Sequence, residues 1–121
     1  MKLRIQNNSI RLRLTKPEVD QIIAGVSVKA ETQIGSNVFS YELIPNENEG
    51  FLASFKNNKL QLFINKETAQ TWQDETKVGF EVTINLGGNE LHILIEKDFK
   101  CLSPAREGKE NEMFENPASE C

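Results

Sequence analysis

KLRIQNNSIRLRL, residues 2–14, alternates apolar and polar side chains on both sides of two asparagines. Leu3, Ile5, Ile10, Leu12 and Leu14 are the apolar positions, and the period of two marks two strands. Asparagine tolerates the positive φ that a tight hairpin turn demands, so Asn7-Asn8 reads as the turn. That register sets Ile5 against Ile10 and Leu3 against Leu12 on one face. On the other face Arg4 meets Arg11 and Lys2 meets Arg13, four cations with no acid among them.

Working outward, TKPEVDQIIAG (residues 15–25) reads as a short helix. Thr15 is its cap, Pro17 suits its first turn and Glu18 completes a Thr-x-x-Glu capping box. Val19, Ile22 and Ile23 form the buried stripe, and Gly25 ends it. VSVKAETQI from Val26 and VFSYELI from Val38 then read as two strands joined through Gly35–Asn37. PNENEG, residues 45–50, is a polar loop.

The pattern then recurs. FLASFKNNKLQLFI, residues 51–64, alternates about Asn57-Asn58 and sets Phe55 against Leu60 and Ala53 against Leu62. Asn65 caps a short helix containing Ala69 and Trp72, and KVGFEVTINL and ELHILIEKDF form a last hairpin about Gly87-Gly88-Asn89. At an offset of 50, Asn7-Asn8 falls on Asn57-Asn58, Ile10 on Leu60, Leu12 on Leu62 and Thr15 on Asn65. Recurring Asn-Asn turns and an internal ββαββ duplication both account for this.

The expected fold is α+β: a mainly antiparallel sheet of about eight short strands, curled or half-barrelled, with two short helices on one face and a concave polar surface on the other. Residues 1–102 form the single domain and 103–121 an acidic, partly mobile tail, in which Met113-Phe114 is an anchor for the body or a partner.

Composition narrows the function. Of 121 residues, 38% are hydrophobic and 26% charged, with a net charge of −4. Five glutamates against Arg106 and Lys109 place −3 of it in residues 102–121, leaving a nearly neutral body. Broad nucleic-acid binding needs many uncompensated cations, so it is not expected. The first residues have neither an apolar core nor a small-residue cleavage site, and nothing approaches 18 consecutive apolar residues. A soluble, cytoplasmic protein with no membrane role is the expectation, with Cys101 and Cys121 as free thiols. Two cysteines and His92 lack the number and spacing of a zinc site, so neither metal nor cofactor is expected. His92, between Glu90 and Leu94, reads as a surface or hydrogen-bonded histidine.

The cationic face has two readings. Like charges opposed on neighbouring antiparallel strands cost up to ~1 kcal/mol per pair, so acids such as Glu31, Glu42, Glu81 or Glu96 are expected to offset them. Alternatively Lys2, Arg4, Arg11 and Arg13, with Glu42, Glu81 and Glu96 nearby, line a site for an anionic ligand that arginine grips in a bidentate manner. The sequence favours a non-enzymatic domain binding a protein or a small anion, and does not fix its oligomeric state. The alternative is a hydrolase or transferase in which Arg4, Arg11 and Arg13 hold a phosphorylated substrate while Glu42, Glu81 or Glu96 supplies a base or binds a metal.

From MKLRIQNNSIRLRLTKPEV through EKDFKCL to the closing Asn116-Pro117 and Cys121, the chain resembles a family of small bacterial proteins of unknown function. The resemblance implies no activity, and it implies that the tail belongs to the protein. KLRI and RLRL are also similar in style to the strands of triphosphate-tunnel enzymes. Those carry Glu-x-Glu-x-Lys where this chain has KLRIQ, without a carboxylate, so that likeness extends to the fold alone.

Overall fold

The computed structural model describes residues 1–99 and residue 114. The expected tail, with Cys101 and Cys121, lies outside the described residues except for Phe114, which is exposed. The elements follow the order strand, strand, helix, strand, strand twice. The first set is β1 (Lys2–Gln6), β2 (Ser9–Leu14), α1 (Lys16–Ile23), β3 (Val28–Ile34) and β4 (Asn37–Asn46). The second is β5 (Leu52–Lys56), β6 (Lys59–Asn65), α2 (Lys66–Gln70) with a 3₁₀ turn at Thr71–Gln73, β7 (Gly79–Leu86) and β8 (Asn89–Lys97).

The hairpins have the expected registers. In β1–β2, Ile5 pairs with Ile10, Leu3 with Leu12, Arg4 with Arg11 and Lys2 with Arg13. In β5–β6, Phe55 pairs with Leu60 and Ala53 with Leu62. Asn57 and Asn58 both take positive φ (54° and 63°), whereas in the first turn only Asn7 does, at 52°.

The expected single sheet is replaced by two mixed sheets of four strands, in the orders β1-β2-β8-β7 and β3-β4-β6-β5. Among the described residues no barrel closes, so they form neither a charged tunnel nor one curled concave surface. The central pairs are parallel, β2 with β8 and β4 with β6. Each half therefore gives one hairpin to each sheet. The break is the helix between β2 and β3: a tight turn would return the chain antiparallel beside β2, whereas the connection through α1 takes β3 into the other sheet and leaves that side of β2 to β8. Alternation fixes which face of a strand is buried but not which strand lies beside it.

The two halves match ladder by ladder. Leu12 pairs with Ile95 as Leu62 pairs with Leu43, and Val28 opposes Leu43 as Phe80 opposes Ile95. The His92 N–H donates to the Asn8 carbonyl at 3.1 Å as the Ser40 N–H donates to that of Asn58 at 3.0 Å. The correspondence departs from the single offset of 50, which becomes 52 between β3–β4 and β7–β8.

One core lies between the sheets. Leu12, Leu14, Ile93 and Ile95 from the first sheet meet Leu43, Leu62 and Ile64 from the second, each side chain contributing about 1.5–3 kcal/mol by leaving water. Val19 and Ile22 of α1, Ala69 of α2 and Trp72 complete it. The helices do not lie on one face of a single sheet, as expected from sequence. They touch each other at the end of the molecule opposite the four hairpin turns. Asn65 caps α2 by accepting from the N–H groups of Glu67 and Thr68 at 2.9 and 3.1 Å.

At the start of α1, the Glu18 carboxylate accepts from the Thr15 backbone N–H at 2.8 Å, the Thr15 hydroxyl at 3.0 Å and the N-terminal ammonium at 2.6 Å. Burial pushes its pKa up, but the hydrogen bonds from the ammonium and Thr15 outweigh it and hold the carboxyl below its usual range. A depressed folded-state pKa stabilises the protein above the unfolded pKa, and that contribution fades as pH falls through the lowered value. Glu18→Gln should therefore cost about 1 kcal/mol at pH 7, and the gap from wild type in urea unfolding should shrink towards pH 3.

Candidate functional site

The outer face of the first sheet carries the predicted cations in two rows. Lys2, Arg13 and Glu96 align across β1, β2 and β8, and Arg4, Arg11, Leu94 and Glu81 align across β1, β2, β8 and β7. Parallel pairing of β2 with β8 thus sets a carboxylate beside the arginines. Glu96 Oε1 accepts from Arg11 Nε at 2.7 Å and Arg13 Nε at 2.9 Å, and Arg11 Nη2 lies 2.6 Å away. Lys2 Nζ pairs with Asp98 Oδ2 at 2.9 Å. Three of the four cations are therefore paired within the chain, but Arg11 and Arg13 share the single charge of Glu96, a mostly buried acid.

Arg4 is the exception, with no acid within ion-pair distance among the described residues. With Gln6, Ser9, Arg11, Glu81 and His92, and with the apolar Ile10, Ile93 and Leu94, it lines an open depression of about 210 Å³. His92 is hydrogen-bonded there, its Nδ1 lying 3.0 Å from Thr83 Oγ1. Glu42 lies apart from the other six predicted residues, on the second sheet between Lys29 and Gln61, where it accepts from Gln61 Nε2 at 3.3 Å. Asp98 was not among the predicted residues. It follows β8 directly, so only the strand pairing reveals its nearness to Lys2.

Removing the shared acid leaves Arg11 and Arg13 uncompensated on adjacent rows. Glu96→Ala should lower stability by about 1–2 kcal/mol, the sum of two partly exposed ion pairs and restored repulsion. Salt screens that repulsion, so the loss in thermal unfolding should be smaller in high salt.

A second feature was not foreseen. At the end away from the helices the sheets part around an apolar mouth of about 240 Å³, lined by Ile5, Ile10, Phe39, Phe55, Leu60 and Leu91 and rimmed by Asn7, Asn8 and Ser9. Phe39 and Phe55 stack at a tilt with centroids 6.3 Å apart. Ile5 and Phe55 remain 59% and 65% exposed although their alternation marks them as inward-facing. A signal was present in their positions: each is the last apolar residue before an Asn-Asn turn, where the core runs out. A larger opening, about 520 Å³, lies by α1 between Val19, Ile23, Trp72 and Phe99, with Lys16, Asp20, Lys97 and Asp98 around it. Among the described residues no helix is long and apolar enough to cross a membrane, and no three His, Cys, Asp or Glu side chains are grouped to hold a metal ion.

No curated protein and no solved structure matches the chain. A family model does match, over residues 1–118, so the shared pattern spans the two-sheet body and most of the acidic segment after it. The chain belongs to a family of unknown function, DUF7009.

Proposed function

We propose that the protein is a non-enzymatic binding domain whose binding surface is the apolar mouth between its sheets. The observation that carries this reading is the clustering of Ile5, Phe39, Phe55 and Leu91 at an open end, where large apolar side chains stay in contact with water. Contiguous exposed apolar surface of this kind marks interaction sites on otherwise well-packed proteins. The cationic face supports it less, because Glu96 and Asp98 already take up Arg11, Arg13 and Lys2. Hydrolase or transferase chemistry loses support for the same reason: Glu96 is engaged and Glu42 lies on the other sheet, leaving Glu81 alone beside the arginines.

Arg4 favours a second reading, a small anion in the depression on the outer face of the first sheet. Backbone and methyl NMR spectra separate the two. Titration with indole should shift signals of Ile5, Phe39, Phe55 and Leu91, and inorganic phosphate should leave Arg4, Arg11 and Glu81 in place. Shifts confined to Arg4 and its neighbours under phosphate, with no response to indole, would overturn the assignment in favour of the anion site. The matching ladders of the two halves also support their descent from one ββαββ unit.

A further inference from the structure

The four hairpin turns do not end at one level. In the first sheet, Ser9 at the start of β2 pairs with His92, so β8 runs three residues further, from Asn89, before reaching its turn. In the second, Lys59 pairs with Ser40, and β4 likewise runs three residues further, from Asn37. The β7–β8 and β3–β4 hairpins are long arms projecting about 10 Å past the short β1–β2 and β5–β6 hairpins, at about 3.3 Å per residue. Phe51, just before β5, packs on Phe80 of β7 with centroids 6.2 Å apart, which sets the short β5–β6 hairpin across the core from the long β7–β8 arm. The end of the molecule is therefore stepped, long facing short on each side of the mouth.

We infer that this end is a self-association surface, on which a second copy of the chain sits tip to tip. The inference rests on the mouth being a binding surface and names its partner. A stepped end of this form is complementary to itself: under a two-fold axis lying across the strands, each long arm falls on a short hairpin of the other copy. Such isologous contacts are the commonest form of protein self-assembly. Charge follows the same pairing. One such axis brings the β7–β8 arm, with Glu90, against the partner copy's β5–β6 turn, which carries Lys56 and Lys59. These are the only charged residues among the twenty at the four tips (6–9, 33–38, 56–59 and 85–90), against 26% charged in the chain as a whole. Depletion of charge is the compositional mark of an interface centre.

The area is sufficient. Ile5, Ile34, Phe55 and Leu86, which face inward at the tips, are 59%, 62%, 65% and 51% exposed, which amounts to roughly 500 Å² of surface per copy, main chain included. Two copies burying all of it would cover about 1,000 Å² from these four residues, the threshold for a specific interface.

The test is the mass of the full chain by sedimentation equilibrium over a range of concentrations. A dimer is expected, with Phe55→Asp and Leu86→Asp each weakening it at least about tenfold while far-UV circular dichroism stays near wild type. Both positions are exposed, so the variants fold. Glu90→Lys should weaken the dimer, and adding Lys56→Glu and Lys59→Glu to it should restore association. A monomer at every concentration would overturn the inference, as would a dimer indifferent to Phe55→Asp and Leu86→Asp. If a monomer still responds to indole at the mouth, only the partner is wrong; loss of both responses rejects the binding surface itself.

Discussion

Trp72→Ala should lower stability by about 3–5 kcal/mol, a large share of the 5–15 kcal/mol typical of a domain this size. Trp72 is fully buried in the 3₁₀ turn after α2 and packs edge-on against Phe80 with centroids 5.1 Å apart. Its Nε1 donates to the Val78 carbonyl at 3.3 Å, so truncation opens a cavity and strands an acceptor. The loss falls where the helices close the core and where β7 begins, so both ends of the second half's crossover loosen together. Trp72→Phe keeps most of the buried area, removes the donor and leaves a smaller cavity, and should cost about 1–2 kcal/mol. Urea midpoints for the two variants check the ordering. Equal losses would mean that the larger cavity left by alanine contributes nothing.

Gly79→Ala should cost about 2–3 kcal/mol for a single added methyl group. A Cβ at this position would sit 2.2 Å from the Ile95 carbonyl oxygen and 2.7 Å from the Glu96 Cα, so backbone would have to move. By contrast, a Cβ at Gly35, Gly87 or Gly88 meets nothing within 4 Å. Gly79 pairs with Glu96 in the β7–β8 ladder, and the absence of a side chain lets β7 lie against the backbone of Ile95 and Glu96, the residue that holds Arg11 and Arg13 on the other side of β8. Displacing β8 should therefore also loosen that ion pair. In a double-mutant cycle, Gly79→Ala and Glu96→Ala should cost less together than the sum of the two, because they act on the same contact. Additive losses would separate the glycine from the cation face.

The local half of the fold was legible in the sequence. Period-two alternation about Asn7-Asn8 and Asn57-Asn58 fixed both hairpin registers, and Thr15, Glu18 and Asn65 marked both helix starts. What alternation does not encode is the neighbour of each hairpin. Leu12 would bury equally well beside β3 or beside β8, and the helical crossover decides the matter across more than eighty residues of chain. The site divides in the same way. That Lys2, Arg4, Arg11 and Arg13 share a face followed from the first hairpin alone, whereas the identity of the acid beside them, Glu96 rather than Glu42, depended on the parallel pairing. The mouth was hidden for a related reason: Ile5 and Phe55 have core spacing, and only the parting of two sheets leaves them in water.

The exchange of hairpins between halves underlies both features, since it sets Glu96 among the arginines and leaves the tips stepped and open. Nuclear Overhauser contacts between backbone protons test it most directly. Residues 10–14 should give cross-peaks to residues 93–97 in ascending order, with Leu12 nearest Ile95, and residues 41–45 should do the same with 60–64. Contacts from residues 10–14 to strands 28–34 or 37–46 in a ladder, so that each half forms a sheet of its own, would contradict the account.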